Sequence, residues 1–507
     1  MSGWKKALLG ASGAGGGFVP TDAFYYYNSR LNVVPNPGFR ICCGDAEGNF
    51  YHLTYRRGGS EPEYNNQNRN EYSVNLFDKD ANYQSTSYVW RSDLSSSNSF
   101  YDSNGMNIFP NSDGTGFVTN GFMEAAYINS YYPMYVGEWS LSNFTTAPDA
   151  QYAISRTDVY YQTSGKDNWR IDSNGDNLIL HRSRISGTFY TTVTKFNSDF
   201  SSVSWAKYFQ DGTNNNRYFD IDDNDNIYIG IENDNYAKNG VTKLNSSGAV
   251  QWSKQYGQWQ SNECDGIAYN AATDEVVILA RGRYINGNSD TSTILYAVDA
   301  ANGTLSWGNA LRPAQQSRSL YGCNPTVDEL GNIYVAFRGY GLYSPGGYRS
   351  SWGAGGFFSV EGDGTMRYAN AFDPDGKDST GGQDFQGYEA KSCAYDKYTD
   401  TVLVSGEGNP YGTSRGSWAA RVPADGSLTS TSVEYAMGNS GYYVCYYDYS
   451  TDGSTSGHLD YASYTPSTYT WSNTAYNGYT NPTKTTLSLS DGNIDDSSNM
   501  KIAGPIT

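Results

Sequence analysis

One unit recurs along much of the chain, and this repeat restricts the possible folds more than any other feature. Each unit has two halves. The first half places an acidic turn between two alternating segments, as in FDIDDNDNIYIG from Phe219 to Gly230. The second half places a glycine turn between two segments and ends in tryptophan, as in VTKLNSSGAVQW from Val241 to Trp252. Short alternating segments indicate β-strands, and clusters of Asp, Asn, Ser and Gly indicate tight turns.

Copies of this four-strand unit can be followed in both directions. Tryptophan ends the second half at Trp205, Trp252 and Trp307, which are 47 and 55 residues apart. Five units are clear between about residues 168 and 436, and degenerate copies at about 42–90 and 112–144 bring the number to seven. The clear first halves contain WRIDSNGDNLILHR, FDIDDNDNIYIG, GIAYNAATDEVVILARG, NPTVDELGNIYVAFRG and CAYDKYTDTVLVSGEG.

This periodicity predicts an all-β fold, a β-propeller of seven four-stranded blades with extended N- and C-terminal arms. One small twisted sheet cannot bury both of its faces, so such sheets stack around an axis, and repeats of this length are typical of propeller blades. An eighth blade at about residues 440–475 is the alternative. It is suggested by Cys445–Asp452, which repeats the C-x-Y-D-x-x-T-D pattern of Cys393–Asp400.

The flanks differ in composition from the repeats and suggest three regions. Residues 1–35 are rich in Gly and then Tyr, and we expect an N-terminal assembly arm there. Residues 36–475 would form the propeller. Residues 476–507 are polar and would form a C-terminal arm or a segment that closes the ring.

The charge balance excludes some classes of partner. The chain has 34 Lys and Arg against 52 Asp and Glu, a formal net charge of −18, and such a surface repels a phosphate backbone. We therefore expect no binding to nucleic acid. Membrane insertion is not expected either, because the sequence has no run of about 18 apolar residues.

Six cysteines are too few for a disulfide scaffold in a chain of 507 residues, and none forms a CxxC pair. Cys264, Cys323, Cys393 and Cys445 recur at comparable places in successive units. We expect these four to be reduced and buried, each inside its own blade.

No motif identifies a catalytic residue. The three histidines are not in metal-binding arrangements, and neither a GxSxG elbow nor a phosphate-binding loop occurs. Carboxylate pairs are too numerous to choose among. The sequence thus favours a protein that is not an enzyme and needs no cofactor.

One acidic turn resembles a calcium loop. Asp220, Asp222 and Asn224 alternate as oxygen ligands would, which makes them weak metal candidates. However, Asp225 stands at the sixth place, where Gly is required, and Ile231 stands at the twelfth, where Glu is required. The other interpretation is a hairpin turn rich in Asp and Asn.

Two stretches carry a resemblance to known families. FDIDDNDNIYIG and VTKLNSSGAVQWSKQYG resemble repeats of bacterial and phage propellers of the quinoprotein-like kind, well over residues 168–436 and weakly elsewhere. This implies a fold and no chemistry. The opening MSGWKKALLGASGAGGG resembles the start of structural proteins in marine and cyanobacterial tailed phages, which implies a bacteriophage virion protein.

The N-terminal segment supports the same interpretation. Its apolar stretch at residues 7–9 is too short for a signal peptide, so we expect the segment to be retained. Its glycines would let the backbone approach neighbouring virion proteins closely, and it also offers apolar and basic anchors. These predicted assembly anchors are Trp4, Lys5, Lys6, Leu8 and Leu9.

The sequence therefore predicts a structural protein of the virion, a propeller at the tail or neck. It would form a homo-oligomer, assemble in the host cytoplasm and be exposed outside the cell, where it could contact a cell-surface glycan for host attachment. Tyrosine and tryptophan that face outward can stack on sugar rings. The alternative is a secreted propeller that binds glycans, and a secreted protein would need a leader peptide.

Overall fold

The computed structural model describes strands and turns, and the described residues include no helix and none that could cross a membrane. The described residues are 23–28, 32–33, 40–56, 71–80, 82–90, 106–111, 114–122, 134–140, 148–155, 168–185, 188–210, 217–232, 239–257, 263–283, 291–313, 319–340, 343–344, 347–348, 353–373, 386–409, 416–427, 433–436, 443–448, 459–470, 475–477, 483–486, 490–494 and 500–506.

Seven antiparallel sheets, each with four strands of its own, form the blades of a β-propeller, which confirms the predicted fold. Blade 1 consists of Cys42–Gly44, Phe50–Arg56, Glu71–Phe77 and Tyr83–Trp90, with Asn32–Val33 beside the second of these. Blade 2 consists of Met106–Pro110, Gly116–Phe122, Met134–Ser140 and Ala150–Ser155. Blade 3 consists of Trp169–Ile171, Asn177–Ile185, Thr188–Phe196 and Val203–Gln210.

The remaining blades follow the same order. Blade 4 consists of Arg217–Ile221, Ile227–Glu232, Asn239–Leu244 and Val250–Gly257. Blade 5 consists of Glu263–Asn270, Glu275–Arg283, Thr291–Asp299 and Leu305–Pro313. Blade 6 consists of Leu320–Val327, Ile333–Tyr340, Gly353–Val360 and Met366–Asp373, with the small hairpin of Tyr343–Ser344 and Gly347–Tyr348. Blade 7 consists of Gln386–Asp396, Thr401–Asn409, Gly416–Pro423 and Ala23–Asn28.

The first strands lie nearest the axis, because those of neighbouring blades contact one another from blade 4 through blades 5, 6, 7 and 1 to blade 2. Apolar clusters fill the spaces between adjacent sheets. One of them joins blades 4 and 5 through Tyr228, Cys264 and Ile278, all of which are almost completely buried. The ring is therefore held by face-to-face packing of neighbouring blades, as expected for sheets that cannot bury their faces alone.

The N-terminal strand closes the ring. Ala23–Asn28 pairs with Gly416–Pro423 as the fourth strand of blade 7, with Tyr25 opposite Ala420. The first described strand of the chain thus completes the blade formed by strands that follow almost 400 residues later. Closing a propeller with a strand from the other end of the chain joins the first and last blades.

A second closure runs around the outside of the ring. After blade 7 the chain turns back and adds one further antiparallel strand to the outer edge of every blade, in the order 6, 5, 4, 3, 2, 1 and 7. We call these strands the belt. They are Tyr443–Asp448, Leu459–Ser463, Ser467–Thr470, Ala475–Asn477, Thr483–Thr486, Ser490–Ile494 and Met500–Ile506. Val433–Ala436 pairs outside the first of them.

The belt replaces the eighth blade that the sequence offered as an alternative. Residues 445–448, whose pattern resembles the first strand of blade 7, lie in the belt strand paired with Met366–Asp373. The expected boundary at residue 475 falls within the belt.

The repeated tryptophans join each blade to the next. The indole Nε1 of Trp307, on the fourth strand of blade 5, donates to the Gly362 carbonyl of blade 6 at 2.8 Å. Trp252 donates in the same way to Ala300 of blade 5. In blade 6, Tyr368 takes this place, and its hydroxyl donates to the Ala424 carbonyl of blade 7 at 2.8 Å.

The structure confirms the prediction for three of the recurring cysteines, each of which is buried inside its own blade. Cys264, Cys323 and Cys393 are free, buried and located on the first strands of blades 5, 6 and 7. Burial raises the pKa of the Cys393 thiol. Cys445 differs, because it lies on a belt strand and not inside a blade of its own.

Candidate functional site at the centre of the ring

Two adjoining cavities lie where the first strands of the blades end and their turns begin. Their volumes are about 390 Å³ and about 420 Å³. Both are lined by Arg40, Pro110 and Lys397, so we treat them as one site and call it the channel mouth. All seven blades contribute lining residues. Each cavity is within the size range of sites for small ligands, roughly 300–1,000 Å³.

The acidic turns around the channel mouth share one hydrogen-bond pattern. In blade 4, the Asp222 carboxylate accepts from the backbone N–H groups of Asn224 and Asn226 at 2.8 and 2.9 Å. Its second oxygen accepts from the Asn226 side chain and from the Tyr228 hydroxyl, both at 2.8 Å. The repeated Asp, Asn and Tyr of these turns therefore fix the turn, and the same pattern recurs at Asp45 and Asp328.

The three metal candidates, Asp220, Asp222 and Asn224, take part in hydrogen bonds within and between blades. Asp222 accepts the four hydrogen bonds just described, and the backbone of Asn224 donates one of them. Asp220 accepts from the Arg170 Nε at 2.6 Å and from the Tyr269 backbone N–H at 2.8 Å, which links blades 3, 4 and 5. Within the described part of the chain, no three His, Cys, Asp or Glu side chains are grouped to hold a metal ion. The calcium interpretation of this turn stays a prediction.

Two tyrosines at the channel mouth are held in equivalent ways. The Tyr269 ring stacks on Tyr228 of the preceding blade at 5.7 Å between centroids, and its hydroxyl donates to Asp274. The Tyr395 ring stacks on Tyr334 at 6.1 Å, and its hydroxyl donates to Asp400. Both interplanar angles are 4°. These half-buried rings are fixed before any ligand binds.

Cationic side chains line the wall that both cavities share. The guanidinium of Arg40 lies over the Phe109 ring at 5.4 Å, and the Arg40 backbone N–H donates to Asn107 of blade 2. The exposed Lys397 extends from the turn of blade 7, with its ammonium 5.1 Å from the Tyr398 ring centroid. Aromatic rings and cationic side chains therefore lie together in this shared wall, while carboxylates predominate among the charged residues of the whole lining.

A buried carboxyl group lies beside these cations. Burial raises the pKa of Asp396 to about 6, although the Thr399 hydroxyl and the Tyr398 backbone N–H both donate to it. Its neighbour across the blades is Gly44, where an added Cβ would lie 2.0 Å from the Asp396 Oδ2. Glycine is required at this position because any side chain would displace the carboxyl group.

Sequence reasoning singled out Asp222, which lines the first cavity, and missed most other residues of the channel mouth. No sequence pattern pointed to Arg40, Phe109 or Lys397. These residues come from different blades, and the folded ring is what brings them into one cavity lining. Tyr269 and Tyr395 did have a signal. They share the pattern A-Y-[ND]-x-x-T-D, in which the tyrosine precedes the turn residue and the last aspartate accepts its hydroxyl. The predicted assembly anchors Trp4, Lys5, Lys6, Leu8 and Leu9 lie outside the described residues.

No protein-family model matches the chain, and no curated protein matches it either. Solved structures do match. An oligogalacturonate lyase from Vibrio parahaemolyticus is 9% identical, with 80% of this chain and 98% of that chain covered and a TM-score of 0.41. The polysaccharide lyase Uly1 is 12% identical, with coverages of 79% and 99% and a TM-score of 0.42. A Trypanosoma rangeli sialidase is 12% identical, with coverages of 78% and 58% and a TM-score of 0.29.

These matches overturn one expectation. The sequence led to the prediction that the protein is not an enzyme, yet the three matching structures are named as two lyases and a sialidase. That prediction, which was drawn from the lack of a recognisable catalytic motif, was wrong, and we withdraw it. At these identities the likeness concerns the fold, and the phage resemblance stays a prediction.

Proposed function

We propose that this protein is a carbohydrate-binding β-propeller and that the channel mouth is its binding site. The observation that supports this most is the pair of fixed tyrosines, Tyr269 and Tyr395, in the wall of a cavity of about 420 Å³. Sugars are bound in proteins through aromatic surfaces combined with a few well-placed polar groups, and both are present here.

Preorganisation favours this use of the tyrosines. Each ring is held by a stacking partner and by a hydroxyl–carboxylate hydrogen bond, so little side-chain entropy is lost when a ligand binds. The rings also pack neighbouring blades together. A binding role would be additional to this packing.

Binding can be tested with an array of bacterial and animal glycans, followed by calorimetry on the oligosaccharides that bind. Tyr395→Ala removes one of the two fixed rings of the channel mouth, and we expect it to weaken binding at least fivefold. Tyr83→Ala, which removes a ring from the outer part of blade 1, is the matched control. Equal affinities for the two variants, or no binding of any glycan by the intact protein, would overturn the proposal. Release of shorter products would show that the site also cleaves its ligand.

We also propose that the protein is part of a phage particle, as the opening of the sequence suggests. In support, the strand Ala23–Asn28, which lies within the predicted arm of residues 1–35, is the fourth strand of blade 7, far from the axis. A segment leaving this position starts at the rim, where it can reach a neighbouring subunit. Deletion of residues 1–20 should leave the propeller folded and abolish its incorporation into particles. Normal incorporation of the truncated protein would contradict this role.

A further inference from the structure

The charged side chains that line the channel mouth are mostly acidic. Among the described residues, four carboxylates line the first cavity and three line the second, seven in all, against three cationic side chains. Each of these cations already has a partner in the fold, and the contacts are Arg170 with Asp220, Arg40 with Phe109, and Lys397 with Tyr398. An anion that enters the mouth would therefore meet an excess of like charge, whereas a cation would be attracted.

Two of the lining carboxylates are not required by the turns that carry them. In four blades the turn aspartate accepts from the backbone N–H groups two and four residues later, and these aspartates are Asp45, Asp172, Asp222 and Asp328. The residues that directly follow them are, in the same order, Ala46, Ser173, Asp223 and Glu329. Alanine and serine complete this turn as well as a carboxylate does. Asp223 and Glu329 are both exposed, and both line the channel mouth.

The blades that carry these two carboxylates are the ones on which the fixed tyrosines stack. Blade 4 supplies Tyr228 to the ring of Tyr269. Blade 6 supplies Tyr334 to the ring of Tyr395. The extra carboxylate and the stacked tyrosine thus occur together at two places in the ring.

The carboxylate and the tyrosine at each place act on each other. Burial and the carboxylate that accepts its hydroxyl raise the pKa of Tyr269, and Asp223 raises it further. The pKa of Tyr395 is raised in the same way, with Glu329 in the place of Asp223. We call Tyr269 with Asp223, and Tyr395 with Glu329, the tyrosine–carboxylate pairs. Each pair combines a fixed aromatic ring with an exposed negative charge.

We propose that the channel mouth binds amino sugars whose nitrogen is a free ammonium group, with the sugar ring on the tyrosine and the ammonium group at the carboxylate of each pair. This inference rests on the proposed carbohydrate-binding function and specifies its ligand class. A sugar has an apolar face that packs on an aromatic ring, and an ammonium group forms charge-assisted hydrogen bonds with a carboxylate. A sugar whose nitrogen is acetylated keeps the ring and loses the charge, so it should bind more weakly.

The first experiment separates the charge from the rest of the sugar. A glucosamine tetrasaccharide is compared with its N-acetylated form by calorimetry on the full-length protein, at a pH that keeps the amines protonated and at low and high salt. We expect the free amine to bind about tenfold more tightly, and this advantage to shrink at high salt because the charges are screened. Failure of the free amine to bind more tightly overturns the inference, while the carbohydrate-binding function stands if any glycan of the array binds. Failure of every saccharide overturns both.

A peptide separates the sugar from the charge. Tetralysine has several ammonium groups and no ring that could pack on a tyrosine. We expect it to bind about tenfold more weakly than the glucosamine tetrasaccharide. Equal binding would show a site for cations of any kind, which contradicts the inference.

The second experiment assigns the charge to the two exposed carboxylates. The double variant Asp223→Asn with Glu329→Gln should weaken binding of the amino tetrasaccharide about tenfold and leave the acetylated form unaffected, at an unchanged melting temperature. Glu47→Gln is the matched control, because it removes an exposed carboxylate from the acidic turn of blade 1, outside the lining of both cavities, and it should change neither affinity. Equal loss for the two sugars in the double variant would show that the carboxylates only shape the site, which contradicts the inference.

The third experiment tests whether the ring and the carboxylate of one pair hold the same sugar unit. Tyr395→Ala and Glu329→Gln are combined in a double-mutant cycle, and Tyr395→Ala and Asp223→Asn in a second cycle as the control. We expect the losses of affinity within the pair to be non-additive, since a sugar without its stacking ring no longer holds its ammonium group at the carboxylate. The losses across the two pairs should multiply. Identical behaviour of the two cycles would show that ring and carboxylate do not share a sugar unit, and this would overturn the inference.

Discussion

The ring and the belt use the same antiparallel pairing, yet only the ring is visible as a repeat. Each of these blades presents an aromatic donor at the same place to the turn of its neighbour, as Trp307 does to Gly362 and Tyr368 to Ala424. Because this contact recurs in successive blades, the residues that make it recur in the sequence. A belt strand only has to offer backbone N–H and C=O groups to an edge, and almost any residue can do that. Repetition in a sequence thus reports side-chain contacts more than backbone pairing.

The sharpest test of this comparison is removal of the belt. Deletion of residues 443–507 would expose the outer edges of all seven blades, and open edges invite association with other chains. We expect the free energy of unfolding to fall by roughly 5 kcal/mol or more, since many net hydrogen bonds of about 1 kcal/mol are lost. Thermal melting and size-exclusion chromatography would measure the loss and the aggregation. Addition of residues 443–507 as a separate polypeptide should restore both properties, and an unchanged monomer would show that the belt is dispensable.

Within the ring, close packing near the axis should make small changes costly. Gly44→Ala would place its Cβ 2.0 Å from the buried Asp396 carboxylate, and we expect a loss of about 2–4 kcal/mol. Gly175→Ala is the matched control, because nothing lies within 4 Å of its Cβ and only its positive φ of 82° opposes the change. The control should lose about 1 kcal/mol. Equal losses in denaturant unfolding would show that the close packing at Gly44 costs no more than the positive φ at Gly175.

The buried Asp396 should make the stability of the ring depend on pH. Its pKa of about 6 in the folded protein exceeds the value of about 3.9 expected when unfolded. Folding therefore favours the protonated form, and this contribution is present below about pH 4 and is lost as the pH rises through 6. The loss is about 2–3 kcal/mol. Asp396→Asn should be more stable than the native protein at pH 8 by up to that amount and similar at pH 4.

Urea unfolding of Asp396→Asn and of the native protein across this range is the measurement. The exposed Asp80→Asn serves as the control and should follow the native curve. A pH profile unchanged by Asp396→Asn would contradict the assignment.

The blade-to-blade tryptophans should contribute smaller and graded amounts. Trp307→Phe removes an indole N–H bond of 2.8 Å to Gly362 at a half-buried site, and we expect a loss of about 1–2 kcal/mol. Trp205→Phe removes an exposed bond of 3.3 Å to Ser246 and should lose less than about 1 kcal/mol. Equal losses in thermal unfolding would indicate that the loss of stability comes from the smaller aromatic side chain and not from the lost hydrogen bond.

The smallest effect is expected from chelation. A chelator should leave the melting temperature nearly unchanged, because the Asp222 carboxylate already accepts four hydrogen bonds and Asp220 is paired with Arg170. A fall of about 10 °C would show that a metal ion holds these turns. Return of the lost stability on addition of calcium would identify the ion.

Most of the ring could be predicted from the sequence, while the belt and the channel mouth could not. The acidic turns and the tryptophans signal local structure, so seven blades and the places of Cys264, Cys323 and Cys393 follow from them. The pattern at Cys445 suggested an eighth blade that the structure does not have. The same local sequence is compatible with the first strand of a blade and with a strand that pairs with the outer edge of another blade. The channel mouth depends on Arg40 and Lys397, which are far apart in the chain and meet only through ring closure.

The double closure also sets an order of events during synthesis. The strand Ala23–Asn28 leaves the ribosome early but has no partner until residues 416–423 follow, and at 5–20 residues per second this takes roughly 20–80 s. Its outer neighbour, Met500–Ile506, is made after all the other described strands. While these residues are being made, the nascent chain therefore carries the unpaired strand Ala23–Asn28 and a growing set of bare blade edges, and the ring and belt are fully paired only after Met500–Ile506 has emerged.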